Sequence, residues 1–300
     1  MLFMSSTILV LLLPNINKSF LALLEKKTSY YLFVASILLI PLINWFFIPD
    51  FSSGLNEILG SYILWYITPA LIMMVPTFHA KLKPWGPLFH IGGVILLAIG
   101  FDSRFTSPLV SGFSDLSYSF NALWVSGLCL AIISIQYKDY LEKFSWNIDL
   151  KKIGFPVALL LSLAIIILPI GLLSGFIQWN PNWEGVGMFL MNFLGIWFTI
   201  ALPEEVIARG IIQNQMLHTA REKISQNYKK GYTVIIVLLA SFIFGLSHWN
   251  NTAEEFVWIY IGLATVAGIG FGVCWEKHGL LSSMLMHTLI DFTWIMCFSS

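Results

Sequence analysis

Charge is what this 300-residue chain has least of. Asp, Glu, Lys and Arg make up 11% of it, against about 25% in ordinary soluble domains. With 57% hydrophobic residues, a water-soluble globule is excluded. The charge present is balanced, 16 basic against 16 acidic residues. That excludes the clustered basic excess which phosphate binding requires, so no nucleic-acid partner is expected. Cysteine is scarce as well. Cys129, Cys274 and Cys297 stand alone, with no C-x-x-C pair, which rules out a disulfide framework or a cysteine-rich zinc site and leaves them as small apolar core residues. Also missing are an H-E-x-x-H motif, an internal repeat, a low-complexity linker and any stretch polar enough for a soluble domain. Residues 1–14 are apolar but lack a basic leader and a small-residue cleavage site. They read as an interfacial or short membrane segment and not as a removable signal.

What is there is a series of apolar runs. A spanning helix needs about 20 mostly apolar residues, and nine segments meet that rule within a few residues: 30–48, 59–76, 87–101, 119–136, 153–177, 186–217, 232–248, 256–275 and 280–298. The expectation is an all-α, polytopic integral membrane bundle of about nine helices (eight to ten), with N-terminal spans over 1–185 and a functional portion over 186–300. Basic residues collect in short cytoplasmic loops. Lys18, Lys26 and Lys27, then Lys81 and Lys83, then Lys138, Lys143, Lys151 and Lys152, then Arg221, Lys223, Lys229 and Lys230, and finally Lys277 all fall on one side. Only Arg104 falls on the other, and Arg209 lies inside a span. The start of the first span is therefore expected in the cytoplasm and the C-terminus outside. Pro41, Pro69, Pro156 and Pro169 within spans read as packing kinks. Ala264, Gly268 and Gly272 read as a small-residue helix-packing face.

Three acidic residues belong to no loop: Glu204, Glu205 and Asp291. A charge near the bilayer centre costs about 2.5–3.5 kcal/mol on insertion scales, so such residues point to function. On a helix Glu205 and Arg209 are i and i+4 and can pair, whereas Glu204 is turned away by about 100°. One carboxylate is thus neutralised and its neighbour is left to serve as a general base. His248 closes the seventh span, and His287 and Asp291 are i and i+4 on the last. Counted at about 1.5 Å per residue from the cytoplasmic end, all four fall in a mid-membrane band, with His248 nearest the outer face. His79 and His278 fall in loops, and His90 and His218 at span ends, where an interfacial role is expected.

These residues resemble the CPBP family of intramembrane proteases, which includes type II CaaX prenyl endopeptidases and bacteriocin-processing and self-immunity proteins. E-E-x-x-x-R is present as Glu204, Glu205 and Arg209, F-x-x-x-H as Phe244 and His248, and H-x-x-x-N/D as His287 and Asp291. The likeness covers roughly residues 186–298. It implies hydrolysis of a peptide bond of a membrane-associated peptide or protein, in the bacterial plasma membrane. Glu204 and His248 would activate a water, His287 and Asp291 would stabilise the oxyanion or orient the site, and Glu205 with Arg209 would be the supporting pair. Asp291 stands where prenyl-processing members usually carry Asn, which weakens a transfer of prenyl specificity. The resemblance leaves two chemistries open, a metal-free glutamate mechanism and a zinc site built from His248, His287, Glu204 and Asp291. Two rival functions use the same residues: a non-proteolytic immunity or binding protein, and a small transporter with Glu204 and Asp291 as ion sites. The second lacks the inverted repeat and paired broken helices of transporters.

Overall fold

The structure, a computed structural model, describes residues 60, 63–102, 143–144, 150–183, 185–223 and 229–299. The chain divides into two compact units, Met1–Leu141 and Glu142–Ser300. In the first, helix α1 (Thr68–Phe78) packs against α2 (Gly86–Asp102), with a 3-10 segment Ala80–Trp85 between them. Pro69 has no N–H, and its ring collides with the carbonyl one turn back. The turn before it widens into a π-helix over Ile63–Ile67, and the Thr68 hydroxyl donates to the Ile63 carbonyl at 2.8 Å.

The second unit holds α3 (Leu150–Leu173), a long helical rod, and three helices against it. The rod runs through α4 (Val186–Ile196), a π segment Trp197–Ala201, α5 (Leu202–Glu205), a second π segment Val206–Gln213 and α6 (Asn214–Lys223). The first π segment has the same cause as in the other unit, because Pro203 follows it. Then come α7 (Lys229–Leu246), α8 (Val257–His278) and α9 (Leu280–Cys297). Gly279 alone joins α8 to α9, at φ 79°, a conformation that favours glycine. α8 lies at the centre and packs on α3, α7 and α9. The core beside the site holds Ala208, Phe244, Ala264, Ala267, Phe271 and Met286.

One element departs from an all-α expectation. Gln178–Trp179 (β1) pairs antiparallel with Phe298–Ser299 (β2). Asn180 and Asn182 extend the contact by donating their backbone N–H groups to the carbonyls of Cys297 (3.0 Å) and Met296 (2.9 Å). The strap occupies carbonyls that the end of α9 would otherwise leave open.

The outer surface explains the scarcity of charge. Leu161, Ile165, Ile166 and Ile170 on α3 are exposed, as are Val234, Ile235, Leu238 and Leu239 on α7. So large an apolar surface suits lipid and not water. Among the described residues, five helices are long and apolar enough to cross a membrane: Lys81–Ile99, Ile153–Leu173, Val186–Ala220, Glu254–His278 and Leu280–Cys297. Ile63–Pro76 and Lys230–Leu246 are shorter apolar helices. The protein is thus a mostly helical integral membrane protein. Seven of the nine expected spans fall on these helices, while 30–48 and 119–136, with residues 1–14, Pro41 and Cys129, lie outside the described residues.

Candidate functional site

The site begins with a charge that has nowhere to go. Arg209 and Glu205 are both fully buried, with Arg209 Nε 3.4 Å from Glu205 Oε2. The expected i, i+4 pair therefore forms, although the helix there is π and not α. Arg209 Nη1 lies 3.4 Å from both Gln213 Oε1 and Ser241 Oγ. Its guanidinium stands 5.2 Å from the Phe244 ring centroid and 5.9 Å from that of Phe271. Space for these side chains comes from α8. A Cβ at Gly268 would meet Arg209 Nη2 at 3.1 Å, and one at Gly272 would meet Gln213 Oε1 at 2.7 Å. The small-residue face expected to serve helix packing alone also houses the polar side chains of the neighbouring rod.

His287 is the hub. Its Nδ1 lies 2.8 Å from Glu205 Oε1, and its Nε2 lies 3.3 Å from Asp291 Oδ2 and 3.7 Å from Glu204 Oε2. The ring stacks flat on Phe271, with centroids 4.5 Å apart and 8° between planes. Phe244 stands edge-on at 5.8 Å. Aromatic packing on two sides fixes the imidazole so that each nitrogen faces a carboxylate. The Ser283 hydroxyl hydrogen-bonds Glu205 and the Phe271 carbonyl, the latter at 2.9 Å. Ser283 was not among the expected site residues. Its signal is spacing, since Ser283, His287 and Asp291 recur every four residues on one face of α9.

His248 lies just past the end of α7, in the turn that follows it. Its Nδ1 is 3.0 Å from the Phe244 carbonyl, a local bond that fixes the ring and leaves Nε2 as the nitrogen not engaged by that carbonyl. Phe244 joins the two histidines, since its ring is also edge-on to His248 at 4.8 Å. Tyr260, a second residue the sequence reading passed over, packs edge-on against His248 at 5.1 Å and hydrogen-bonds Asn251 through its hydroxyl.

Exposure separates the two glutamates. The Glu205 side chain is fully buried, as is nearly all of His287 (3% exposed), whereas Glu204 is 24% and Asp291 32% exposed. Glu205 is thus committed to internal partners, and Glu204 and Asp291 present oxygens to whatever enters. Among the described residues, no three His, Cys, Asp or Glu converge as a set that could hold a metal ion.

The other histidines stay apart from the cluster. His79 lies between α1 and the 3-10 segment, and His218 is on α6. His278 is the last residue of α8, with its ring 5.4 Å from Phe155. His90 is fully buried in α2, so the interfacial position expected for it is corrected to a core one. Cys274 is buried and Cys297 partly so, both as free thiols.

No curated protein and no solved structure matches the chain. The stretch from the start of α4 to Thr293 holds every residue of this cluster. Residues 186–293 match the family model described as type II CAAX prenyl endopeptidase Rce1-like, consistent with the CPBP family of intramembrane proteases.

Proposed function

We propose that the protein is an intramembrane endopeptidase that hydrolyses a peptide bond of a membrane-associated peptide or protein. The observation that carries this reading is the split between the glutamates. Glu205 is held by Arg209, Ser283 and His287, and partly exposed Glu204 faces His287 Nε2 beside Asp291.

Glu204 accepts a proton from a water whose oxygen attacks the scissile carbonyl carbon, and His248 Nε2 orients that water. The oxyanion forms next to His287 Nε2, the ring N–H that Asp291 and Glu204 flank. Glu204 then returns its proton to the departing amide nitrogen as the C–N bond breaks, giving an amine and a carboxylic acid, whose proton passes to the amine to leave an ammonium and a carboxylate. Phe271 and Phe244 hold His287 in place throughout. Ser283 and Arg209 keep Glu205 from turning into the site.

The test compares protein termini in membranes from cells that express wild type or Glu204→Gln at equal levels. New termini seen only with wild type are expected, and they would also identify the substrate. Equal termini from two folded proteins would contradict the proposal and favour an immunity or binding role for the same pocket. The bacterial plasma membrane and the cytoplasmic start of the first span belong to this proposed reading as well.

A further inference from the structure

Among the described residues of the second unit, the exposure of the polar cluster rises toward one end. On α9, exposure rises along the sequence from Ser283 (buried) through His287 to Asp291. On the rod it rises the opposite way in sequence, from buried Gln213 and Arg209 to Glu204. On α7 it rises from buried Ser241 and Phe244 to half-buried His248. The rod runs opposite to α7 and α9, with α8 between those two in the chain, so the three gradients point to the same end of the bundle. That end carries the β1–β2 strap, the turn after α7 and the start of α8.

Aromatic residues mark this end. Trp179, Trp183, Trp249 and Trp258 are all exposed, with Trp249 and Trp258 edge to face at 5.2 Å. Exposed Trp collects where a bilayer meets water. Asp291 lies six residues before the last residue of α9, which puts it about 9 Å below this end at 1.5 Å per residue.

The other end is closed by a chain of side chains. Arg209 bonds Gln213, and Gln213 Nε2 donates to the Gly272 carbonyl (3.2 Å) and to Glu276 Oε1 (3.4 Å). Lys143 Nζ caps Glu276 at 2.9 Å. Lys230, Lys277 and the end of α6 at Lys223 belong to this same closed end. Basic residues favour the cytoplasmic side.

We infer that the site takes its substrate from the Trp-lined outer interface, as a peptide segment that dips about 9 Å below the headgroup level, and not from the basic cytoplasmic face. This rests on the proteolytic reading for what happens to the peptide, but the direction of access stands on the geometry alone. A tail presented at the basic face would meet the Lys143–Glu276–Gln213–Arg209 chain before it met Glu204.

The experiment places single cysteines at exposed Asn251 in the turn after His248, at Glu204 and at exposed Lys230, each in the full-length protein in cells. A membrane-impermeant methanethiosulfonate is applied before and after permeabilisation, and the modified peptides are read by mass spectrometry. This also keeps the native Cys129, Cys274 and Cys297 distinguishable. Asn251→Cys and Glu204→Cys are expected to react in intact cells, and Lys230→Cys only after permeabilisation. Reaction of Glu204→Cys only under the conditions that expose Lys230→Cys would overturn the inference, as would reaction of Lys230→Cys in intact cells. Should Glu204→Cys fail to accumulate, Asn251→Cys and Lys230→Cys still decide which face is outside, and either answer supports or overturns outer entry. Labelling needs no turnover, so its outcome is independent of whether Glu204→Gln abolishes cleavage.

Discussion

Replacing Arg209 with Met tests the framework of the site without touching the groups that face substrate. The change keeps chain length and apolar volume but leaves Glu205 fully buried without its guanidinium, held only by His287 and Ser283. Breaking a buried pair by removing one partner costs about 3–5 kcal/mol, because the remaining charge is uncompensated. Total stabilities of folded domains run to only about 5–15 kcal/mol. At roughly 2–4 °C per kcal/mol, the melting temperature in a fixed detergent falls by roughly 10 °C. The companion variant Glu205→Gln/Arg209→Met removes both charges, and it is expected to be more stable than the sum of the two single losses by about 0.5–3 kcal/mol, the range for residues in contact. Arg209 also sits near the Phe244 and Phe271 rings, and that loss is common to the single and the double variant, so it cancels in the cycle. An Arg209→Met protein that melts within about 1 kcal/mol of wild type, well below the expected cost, would refute the reasoning. Strict additivity of the two changes would refute it too.

Three further outcomes are expected. Gly268→Ala forces a Cβ to 3.1 Å from both Arg209 Nη2 and Phe244 and should cost about 1–3 kcal/mol in the same melt, whereas Gly262→Ala, with open space around it, should be neutral or stabilise by up to about 1 kcal/mol. Phe271→Ala removes the face on which His287 stacks and should cost about 3–5 kcal/mol with loss of cleavage. Asp291→Asn keeps a hydrogen-bonding partner for His287 Nε2 and should retain cleavage, while Asp291→Ala leaves that ring N–H without its positioning group and should lower kcat by up to about 10²–10³-fold, the scale for losing one oxyanion donor.

Much of the site was legible because the membrane makes polarity conspicuous. Glu204, Glu205, Arg209 and Asp291 stood out in apolar runs, and their spacing alone put Glu205 on the face of Arg209 and turned Glu204 away from it. In the structure Glu205 lies 3.4 Å from Arg209 and Glu204 lies 3.7 Å from His287 Nε2. Gln213 and Tyr260 were not legible, since Gln and Tyr are ordinary in membrane helices and their roles depend on which helix lies opposite, and Ser283 showed only through its four-residue spacing from His287. Gly268 and Gly272 were read correctly as small residues for close approach, but what approaches is a side chain and not only a backbone. The π segment Trp197–Ala201 follows from Pro203 in hindsight. A proline inside a span announces a kink but not its form. The β1–β2 strap is two residues long, too short for any alternation to show.

The central claim is that Glu204 drives hydrolysis, and oxygen isotope incorporation tests it most directly. Membranes bearing wild type or Glu204→Gln protein are incubated in H2(18)O, and new peptide C-termini are analysed by mass spectrometry. The account predicts labelled C-termini with wild type and none with Glu204→Gln. Labelled termini that appear equally with both proteins, or with neither, would contradict it.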